Sequence, residues 1–153
     1  MPNTYTQIHI QTVFAVQNRQ SLINSQWKGE LYKYMTGIIQ NYEHKVLQIN
    51  GMPDHIHILF GMRPTQALSE LVKQIKQDSS RWLNEKYFHD SKFNWQSGFG
   101  AFSYSKSDVQ NVIKYIQNQE LHHKTVTFES EYRKLHDDFN IEYDERYILK
   151  CVN

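Results

Sequence analysis

Two histidines separated by one residue, His55 and His57, have the types and spacing to do chemistry. They follow the turn sequence Asn-Gly-Met-Pro at 50–53 and stand in an apolar run that predicts a β-strand. Side chains two residues apart on a strand project from the same face, so both imidazoles could bind one metal ion. The alternative is a half-buried strand that carries two polar histidines without any ligand.

A later segment, predicted to be a helix over 109–123, has a second set of polar side chains. Tyr115 and Gln119 are four residues apart, so they point to the same side of a helix, and His122 and His123 continue that side. A helix that presents a phenol, a carboxamide and imidazoles is unusual if its only role is packing. For this helix taken alone, an exposed polar face is the alternative.

The order of the predicted elements must bring these two sets of side chains together. Periodicity and turn residues predict strands over 5–16, 45–50, 55–60 and 93–104, helices over 26–42, 66–87 (with Thr65 as N-cap), 109–123 and 127–139, and a short strand within 141–152. The first six elements match an α+β, ferredoxin-like split βαβ pattern, an antiparallel sheet with two helices on one face. Its first and third strands are central neighbours, which predicts that His9 lies close to the histidine pair. Gly98 and Gly100 indicate a bulge or a place where another backbone or a ligand comes close.

The composition is that of an ordinary globular protein. With 153 residues, 22% charged and 39% hydrophobic, the chain is expected to form a single domain over 1–153. No apolar run approaches membrane-spanning length, no signal peptide is evident, and no membrane partner is expected. The single cysteine, Cys151, excludes an intrachain disulfide and a Cys-rich zinc site, and it suits a reducing cytoplasm. A net charge of +1 argues mildly against a large phosphate-binding surface.

The histidine pair and the tyrosine belong to longer stretches that form a family pattern. These are 46–59 (VLQINGMPDHIHIL), 68–72 (LSELV), 79–83 (SSRWL), 95–103 (WQSGFGAFS), 115–119 (YIQNQ), 122–124 (HHK) and 127–128 (TF). Over nearly the whole chain, they resemble the HUH single-tyrosine, single-stranded-DNA transposases of the small insertion-sequence transposase family. The resemblance implies a ferredoxin-like or RRM-like sheet plus a C-terminal helix that carries the catalytic tyrosine.

The resemblance also implies roles for individual residues. His55, His57 and Gln119 would be the metal ligands, and Tyr115 would be the nucleophile. Attack by the phenol on a phosphodiester gives a 5′-phosphotyrosine and a free 3′-OH, and the reverse reaction joins strands without ATP. The cofactor implied is Mg²⁺ or Mn²⁺, and two imidazoles with an amide oxygen suit a transition ion better than Mg²⁺. For Asp54, turn capping is favoured over orienting a ligand imidazole.

The partners implied are single-stranded DNA with hairpins and a second copy of the chain. In such a homodimer, the tyrosine helix of one protomer would complete the metal site of the other. Candidate DNA contacts are the basic side chains Lys73, Lys76, Arg81, His122 and His123. A solvated basic face is the alternative for Lys73, Lys76 and Arg81, and entry of His122 or His123 into the metal shell is the alternative for the histidines.

The function predicted is metal-dependent nicking and rejoining of single-stranded DNA at hairpin-marked element ends. Three alternatives stay open at this point. The first is a domesticated relative that acts on chromosomal repeat palindromes. The second is a metal-dependent nuclease or phosphodiesterase that uses water, and the third is a nucleic-acid-binding module without catalysis. A nuclease that uses water would keep its activity without the Tyr115 hydroxyl, whereas the transposase would lose it. A binding module would show no metal requirement, which DNA cleavage with and without chelator tests.

Overall fold

The structure is a computed structural model that describes residues 4–143. Its strands are β1 (His9–Ala15), β2 (Lys45–Met52), β3 (His55–Gly61) and β4 (Gly100–Tyr104), and its helices are α1 (Lys28–Asn41), α2 (Leu68–Lys86), α3 (Val109–Gln117), α4 (Gln119–His122) and α5 (Phe128–Asp138). Short 3₁₀ turns lie at Gln17–Arg19 and Lys106–Asp108. Most of the C-terminal strand predicted within 141–152 lies outside the described residues. No helix in the described part of the chain is long and apolar enough to cross a membrane.

The four strands form one antiparallel sheet in the order β2-β3-β1-β4, which confirms the predicted α+β fold. The first and third strands are central neighbours, as predicted, but their register separates His9 from the histidine pair. His9 lies opposite Gly61, whereas Ala15 lies opposite His55. Six residues along a strand span about 20 Å, so the prediction for His9 is wrong.

Alternation along the strands gives the sheet two faces with different helices. Phe14, Ile56, Ile58 and Phe60 point to the face that packs against α1 and α2. The other face is covered by the C-terminal helices, through the contacts of Leu59 with α3 and of the β1 residues Val13 and Ala15 with α5. His55 and His57 share the direction of Leu59 and therefore lie beneath the C-terminal helices.

The predicted helix over 109–123 is two helices. It breaks at Asn118, whose φ and ψ are −96° and 23°. The Asn50 side chain on β2 donates to the carbonyl oxygens of Ile116 and Gln117, at 3.0 and 3.2 Å. These bonds satisfy carbonyls at the C-terminus of α3 from another element, so the helix ends there.

Two other predicted boundaries also shift. Helix α2 begins at Leu68 after an extended Ala67, so Thr65 is not its N-cap. The strand predicted over 93–104 is regular only where it pairs with β1, and Trp95 makes an isolated bridge to Val16. A Cβ at Gly100 would lie 2.8 Å from the Tyr132 ring of α5, so the group that comes close is an aromatic side chain and not the backbone or ligand predicted. Gly98 has a positive φ of 85°.

Candidate metal and tyrosine site

His55 and His57 lie side by side on β3, and both are almost wholly buried. Nδ1 of His57 lies 2.7 Å from Oε1 of Gln11 on β1, and Nδ1 of His55 lies 2.8 Å from a carboxylate oxygen of Asp54. Both oxygens are acceptors, so each Nδ1 bears the proton and donates it. Each Nε2 then keeps a free lone pair, as in a metal-ligating histidine.

Asp54 contacts a ligand imidazole rather than only closing the turn. It belongs to the turn before β3, so the alternation of strand side chains does not apply to it. Its other oxygen lies 3.7 Å from Nε of Arg19. Burial alone would raise the pKa of Asp54, but the hydrogen bond from His55 and the charge of Arg19 leave it below the ordinary value. Asp54 therefore contacts the His55 imidazole, which was the less favoured of its two expected roles.

A third imidazole, His123, follows the short helix α4 and has the same arrangement. Its Nδ1 lies 2.7 Å from the carbonyl oxygen of Val126, so its Nε2 also keeps a lone pair. That Nε2 is 3.1 Å from Oε1 of Gln119 and 3.1 Å from Oε1 of Glu131. His123 was predicted as a DNA contact, with the metal shell as the alternative, and the structure places it beside the other two imidazoles.

Five acceptor atoms therefore converge on one small volume. Gln119 Oε1 is 3.2 Å from His55 Nε2, and Glu131 Oε1 is 3.0 Å from His57 Nε2. The ligand atoms of the three histidines and Glu131 all lie within 4.8 Å of one another. With the imidazoles neutral, these lone pairs repel one another, and either protons on Nε2 or a metal cation at their centre would relieve that repulsion. Three imidazoles, a carboxylate and an amide oxygen form a donor set that fits a divalent metal.

The pKa shifts in the cluster differ from one residue to the next. Burial lowers the pKa of His55, which favours the neutral imidazole that metals bind. Burial opposes the charge on Glu131, but hydrogen bonds from His123 and His57 hold its pKa far below the ordinary value, so it stays a carboxylate. Glu131 raises the pKa of His123 despite its burial, so a metal ion would compete there with a proton on Nε2.

Glu131 is the residue that sequence reasoning missed. It lies on α5, is 3% exposed, and its Oε2 accepts from the hydroxyl of Tyr115 and from Nε2 of Gln119 at 3.1 Å. One signal could have found it. Glu131 stands in the apolar stripe of its helix, three residues after Phe128 and four before Leu135, where a carboxylate needs partners.

Tyr115 lies over the histidine pair from α3. Its ring meets that of His57 edge to face, with centroids 5.8 Å apart. Burial and the adjacent negative charge of Glu131 raise the pKa of its phenol, so the hydroxyl is protonated in this state. The spacing of Tyr115 and Gln119 does place both at one site, although the helix breaks between them.

The other predicted DNA contacts divide into two groups. Nε2 of His122 lies 3.2 Å from Oε2 of Glu131 without a hydrogen bond, so this histidine borders the cluster but is outside the converging group. Lys73, Lys76 and Arg81 lie on α2, across the sheet from the histidines. Lys73 and Arg81 are exposed, and Arg81 pairs with Asp78 at 3.2 Å.

Lys76 is committed to its own chain. Its ammonium donates to the carbonyl oxygen of Gln96 at 2.8 Å and to that of Gly98, and it lies 5.3 Å from the centre of the Phe14 ring. Burial lowers its pKa to about 8. A side chain held in this way stabilises the loop at 96–98, and it is poorly placed to reach out to a phosphate.

Sequence comparison identifies relatives of the chain. A family model described as transposase, IS200 like, matches residues 4–119. The ISDra2 transposase TnpA of Deinococcus radiodurans is 24% identical over 120 residues, which cover 74% of this chain and 84% of that protein.

Two solved structures share the fold. A crystal structure of a protein from Deinococcus radiodurans, assigned as a transposase, matches with a TM-score of 0.63 at 19% identity, covering 76% of this chain and 94% of that one. A REP-associated tyrosine transposase bound to a REP hairpin matches with a TM-score of 0.61 at 16% identity, covering 81% and 73%. The family match spans most of the chain and includes both halves of the site, β3 and Tyr115. The expected family is confirmed, and the chain belongs to the IS200-like transposases.

Proposed function

We propose that this transposase nicks and rejoins single-stranded DNA through a covalent bond to Tyr115. One observation supports this most directly. The Tyr115 hydroxyl and the Nε2 atoms of His57 and His123 meet at the same buried carboxylate, Glu131. A phenol beside a cluster of metal-binding groups is the arrangement that nucleophilic attack on a phosphodiester needs.

The chemistry assigned to Tyr115 balances without water or ATP. Its phenolic oxygen forms a bond to phosphorus, the bond from phosphorus to the 3′ oxygen breaks, and the phenolic proton ends on the departing 3′ oxygen. The raised pKa of Tyr115 means that the proton stays in place until attack begins. In the reverse direction, another 3′-OH attacks the phosphotyrosine and restores a phosphodiester.

The metal would be held by His55, His57 and Gln119, and Glu131 and His123 would be two further ligands from the same cluster. When bound, Mg²⁺ or Mn²⁺ supplies positive charge to the phosphate oxygens. The chain's own contribution is orientation, because Gln11 and Asp54 fix the two imidazole rings. Three imidazoles favour Mn²⁺ over Mg²⁺ on ligand softness.

The substrate proposed is DNA with hairpins at the ends of a mobile element. The fold neighbour bound to a REP hairpin supports this, and it equally supports a domesticated relative that acts on chromosomal repeats. DNA flanking the gene distinguishes the two. Palindromes just inside both ends of an element favour transposition, and scattered repeats favour the domesticated relative.

The decisive variant is Tyr115→Phe, tested for a covalent adduct with single-stranded DNA. We expect wild-type protein with Mn²⁺ to give a denaturation-resistant adduct that maps to Tyr115, and Tyr115→Phe to give none, because it lacks the attacking oxygen. The matched control is Tyr42→Phe, which removes an exposed phenol at the end of α1. It should keep the adduct.

Two results would contradict the proposal. Strand cleavage that persists in Tyr115→Phe but is lost in His57→Ala would indicate a nuclease that uses water. DNA binding without cleavage, and indifferent to a chelator, would indicate a binding module.

A further inference from the structure

A cavity lies on the α2 side of the sheet, between the residues that follow β1, the segment before β4 and helix α2. It measures about 360 Å³, and its lining includes Gln17, Asn18, Lys76, Gln77, Asn94 and Gln96. Five of these six residues carry a carboxamide, and no carboxylate lines the cavity. Carboxamides offer a donor and an acceptor side by side, which matches the edges of nucleobases.

Hydrogen bonds join this cavity to the site of the proposed reaction. The backbone N–H of Gln17 donates to the carbonyl of Asn94 at 3.0 Å, and that of Val16, one residue earlier, donates to the carbonyl of Asp54 at 2.9 Å. Arg19, one residue past Asn18, lies beside the Asp54 carboxylate that holds His55. The cavity wall and the turn that positions His55 are therefore parts of one hydrogen-bonded segment.

The backbone at the cavity rim is held in an uncommon conformation. Asn18 and Arg19 have φ angles of 58° and 55°, in the left-handed region that non-glycine residues seldom adopt. Hydrogen bonds from the backbone N–H of Arg19 to Val16 and of Leu22 to Gln20 surround this turn. The turn presents Asn18 to the cavity, whereas a relaxed turn would place its side chain elsewhere.

The opposite wall is fixed by Lys76. By donating to the carbonyls of Gln96 and Gly98, its ammonium ties the 96–98 loop to α2. The wall is therefore set before any ligand arrives, and its one charged group is positive. Such a cavity accepts a base attached to a polyanion without repulsion.

We propose that this cavity binds one unpaired nucleobase of the single-stranded substrate, next to the phosphate that is cleaved. The inference rests on the proposed function for its substrate class, and it adds a site that reads base identity. Asn18 is the contact that can be tested most cleanly. Glycine adopts the left-handed conformation without strain, so Asn18→Gly removes the carboxamide and leaves the turn intact.

The experiment measures equilibrium binding of the full chain, in the presence of chelator, to fluorescent single strands of equal length. The probes are homopolymers of deoxyadenosine, deoxycytidine and thymidine, and an abasic strand. We expect Asn18→Gly to weaken binding of at least one base-bearing strand by about tenfold, the scale of one bidentate amide contact, and to leave the abasic strand unchanged. Asn140→Gly is the matched control, since Asn140 is an exposed asparagine with a φ of 54° outside the cavity.

A second variant guards against a folding effect. Gln77 is exposed on α2, where alanine is a favourable helix residue, so Gln77→Ala should keep the fold and weaken binding of the same strand. Equal loss on the abasic strand would show a contact with the DNA backbone and overturn the proposal, as would no loss at all. Suppose that Asn18→Gly weakens binding of a base-bearing strand and not of the abasic strand, but wild-type protein forms no adduct. The cavity proposal then stands and the proposed reaction fails. If the adduct forms but Asn18→Gly leaves the base dependence unaltered, the proposed reaction stands and the cavity proposal fails.

Discussion

The three histidines of the cluster all show the same division of labour between their ring nitrogens. Each Nδ1 donates to an oxygen, and each Nε2 faces the other two. The acceptors differ in kind, since they are a carboxylate, a carboxamide and a backbone carbonyl. A lone imidazole can rotate or change tautomer, and these partners remove that freedom before a metal binds.

Gln11 offers a test of this orientation at the residue scale. It accepts from His57 Nδ1 and donates to the hydroxyl of Tyr104 at 2.7 Å. We expect Gln11→Leu to weaken Mn²⁺ binding by about 10- to 100-fold in calorimetry, because the His57 ring loses the bond that fixes its tautomer. Gln7→Leu is the control, because Gln7 lies on the same side of the chain before β1 but is exposed. Equal Mn²⁺ affinity for Gln11→Leu and wild type would contradict this role.

At the scale of elements, the site is assembled where the C-terminal helices meet the sheet. Helix α3 brings Tyr115, the junction at Asn118 turns Gln119 inward, and α5 brings Glu131. Helix α5 also stacks Phe128 on the His55 ring, with centroids 3.8 Å apart and planes 1° from parallel. The position of α5 on the sheet therefore determines where the Glu131 carboxylate lies and where Phe128 forms one wall of the cluster.

Gly100 tests that seating. It is buried on β4, and a Cβ there would meet the Tyr132 ring of α5 at 2.8 Å. We expect Gly100→Ala to push α5 outward, destabilise the protein by about 1–3 kcal/mol and weaken Mn²⁺ binding, because Glu131 moves with its helix. Thermal unfolding and calorimetry measure the two effects.

The control for this variant is the same substitution on the other face. Gly37→Ala, within α1, has nothing within 4 Å of its new Cβ, so it should raise stability by about 0.5–1 kcal/mol and leave metal binding unchanged. Wild-type metal affinity in Gly100→Ala would show that the site does not depend on how α5 is seated.

For the molecule as a whole, a single chain holds all the proposed parts of the site. Tyr115 contacts Glu131, which contacts His57 and His123 of the same chain. The family resemblance led us to expect a homodimer in which the tyrosine helix serves the partner. In the single chain that the structure describes, the bonds from Asn50 hold the end of α3 against β2 of the same chain, and the expected homodimer stays a prediction.

Mixing two inactive variants tests which chain supplies the tyrosine. Tyr115→Phe lacks the nucleophile and His57→Ala lacks a ligand, so a site within one chain cannot be restored by combining them. We expect no DNA adduct from the mixture beyond that of the separate variants, after denaturing and refolding them together. An adduct that appears only on mixing would place the tyrosine helix in the partner's site.

Local sequence determined the parts of the site that lie on single elements. Strand alternation put His55 and His57 on one face, and helical spacing put Tyr115 and Gln119 on one side, because both periods are properties of the backbone. The order of elements predicted the sheet topology, because the split βαβ pattern makes the first and third strands central neighbours.

Only the tertiary structure decided which side chains meet. Glu131 and His123 lie beside the histidine pair, and His9 lies at the other end of β1 from that pair. Three basic residues lie on the opposite face of the sheet, namely Lys73, Lys76 and Arg81. The tertiary structure also ended α3 at Asn118 through a bond from β2. These outcomes depend on register and helix docking, which contacts between residues far apart in sequence determine, so no local pattern contains them.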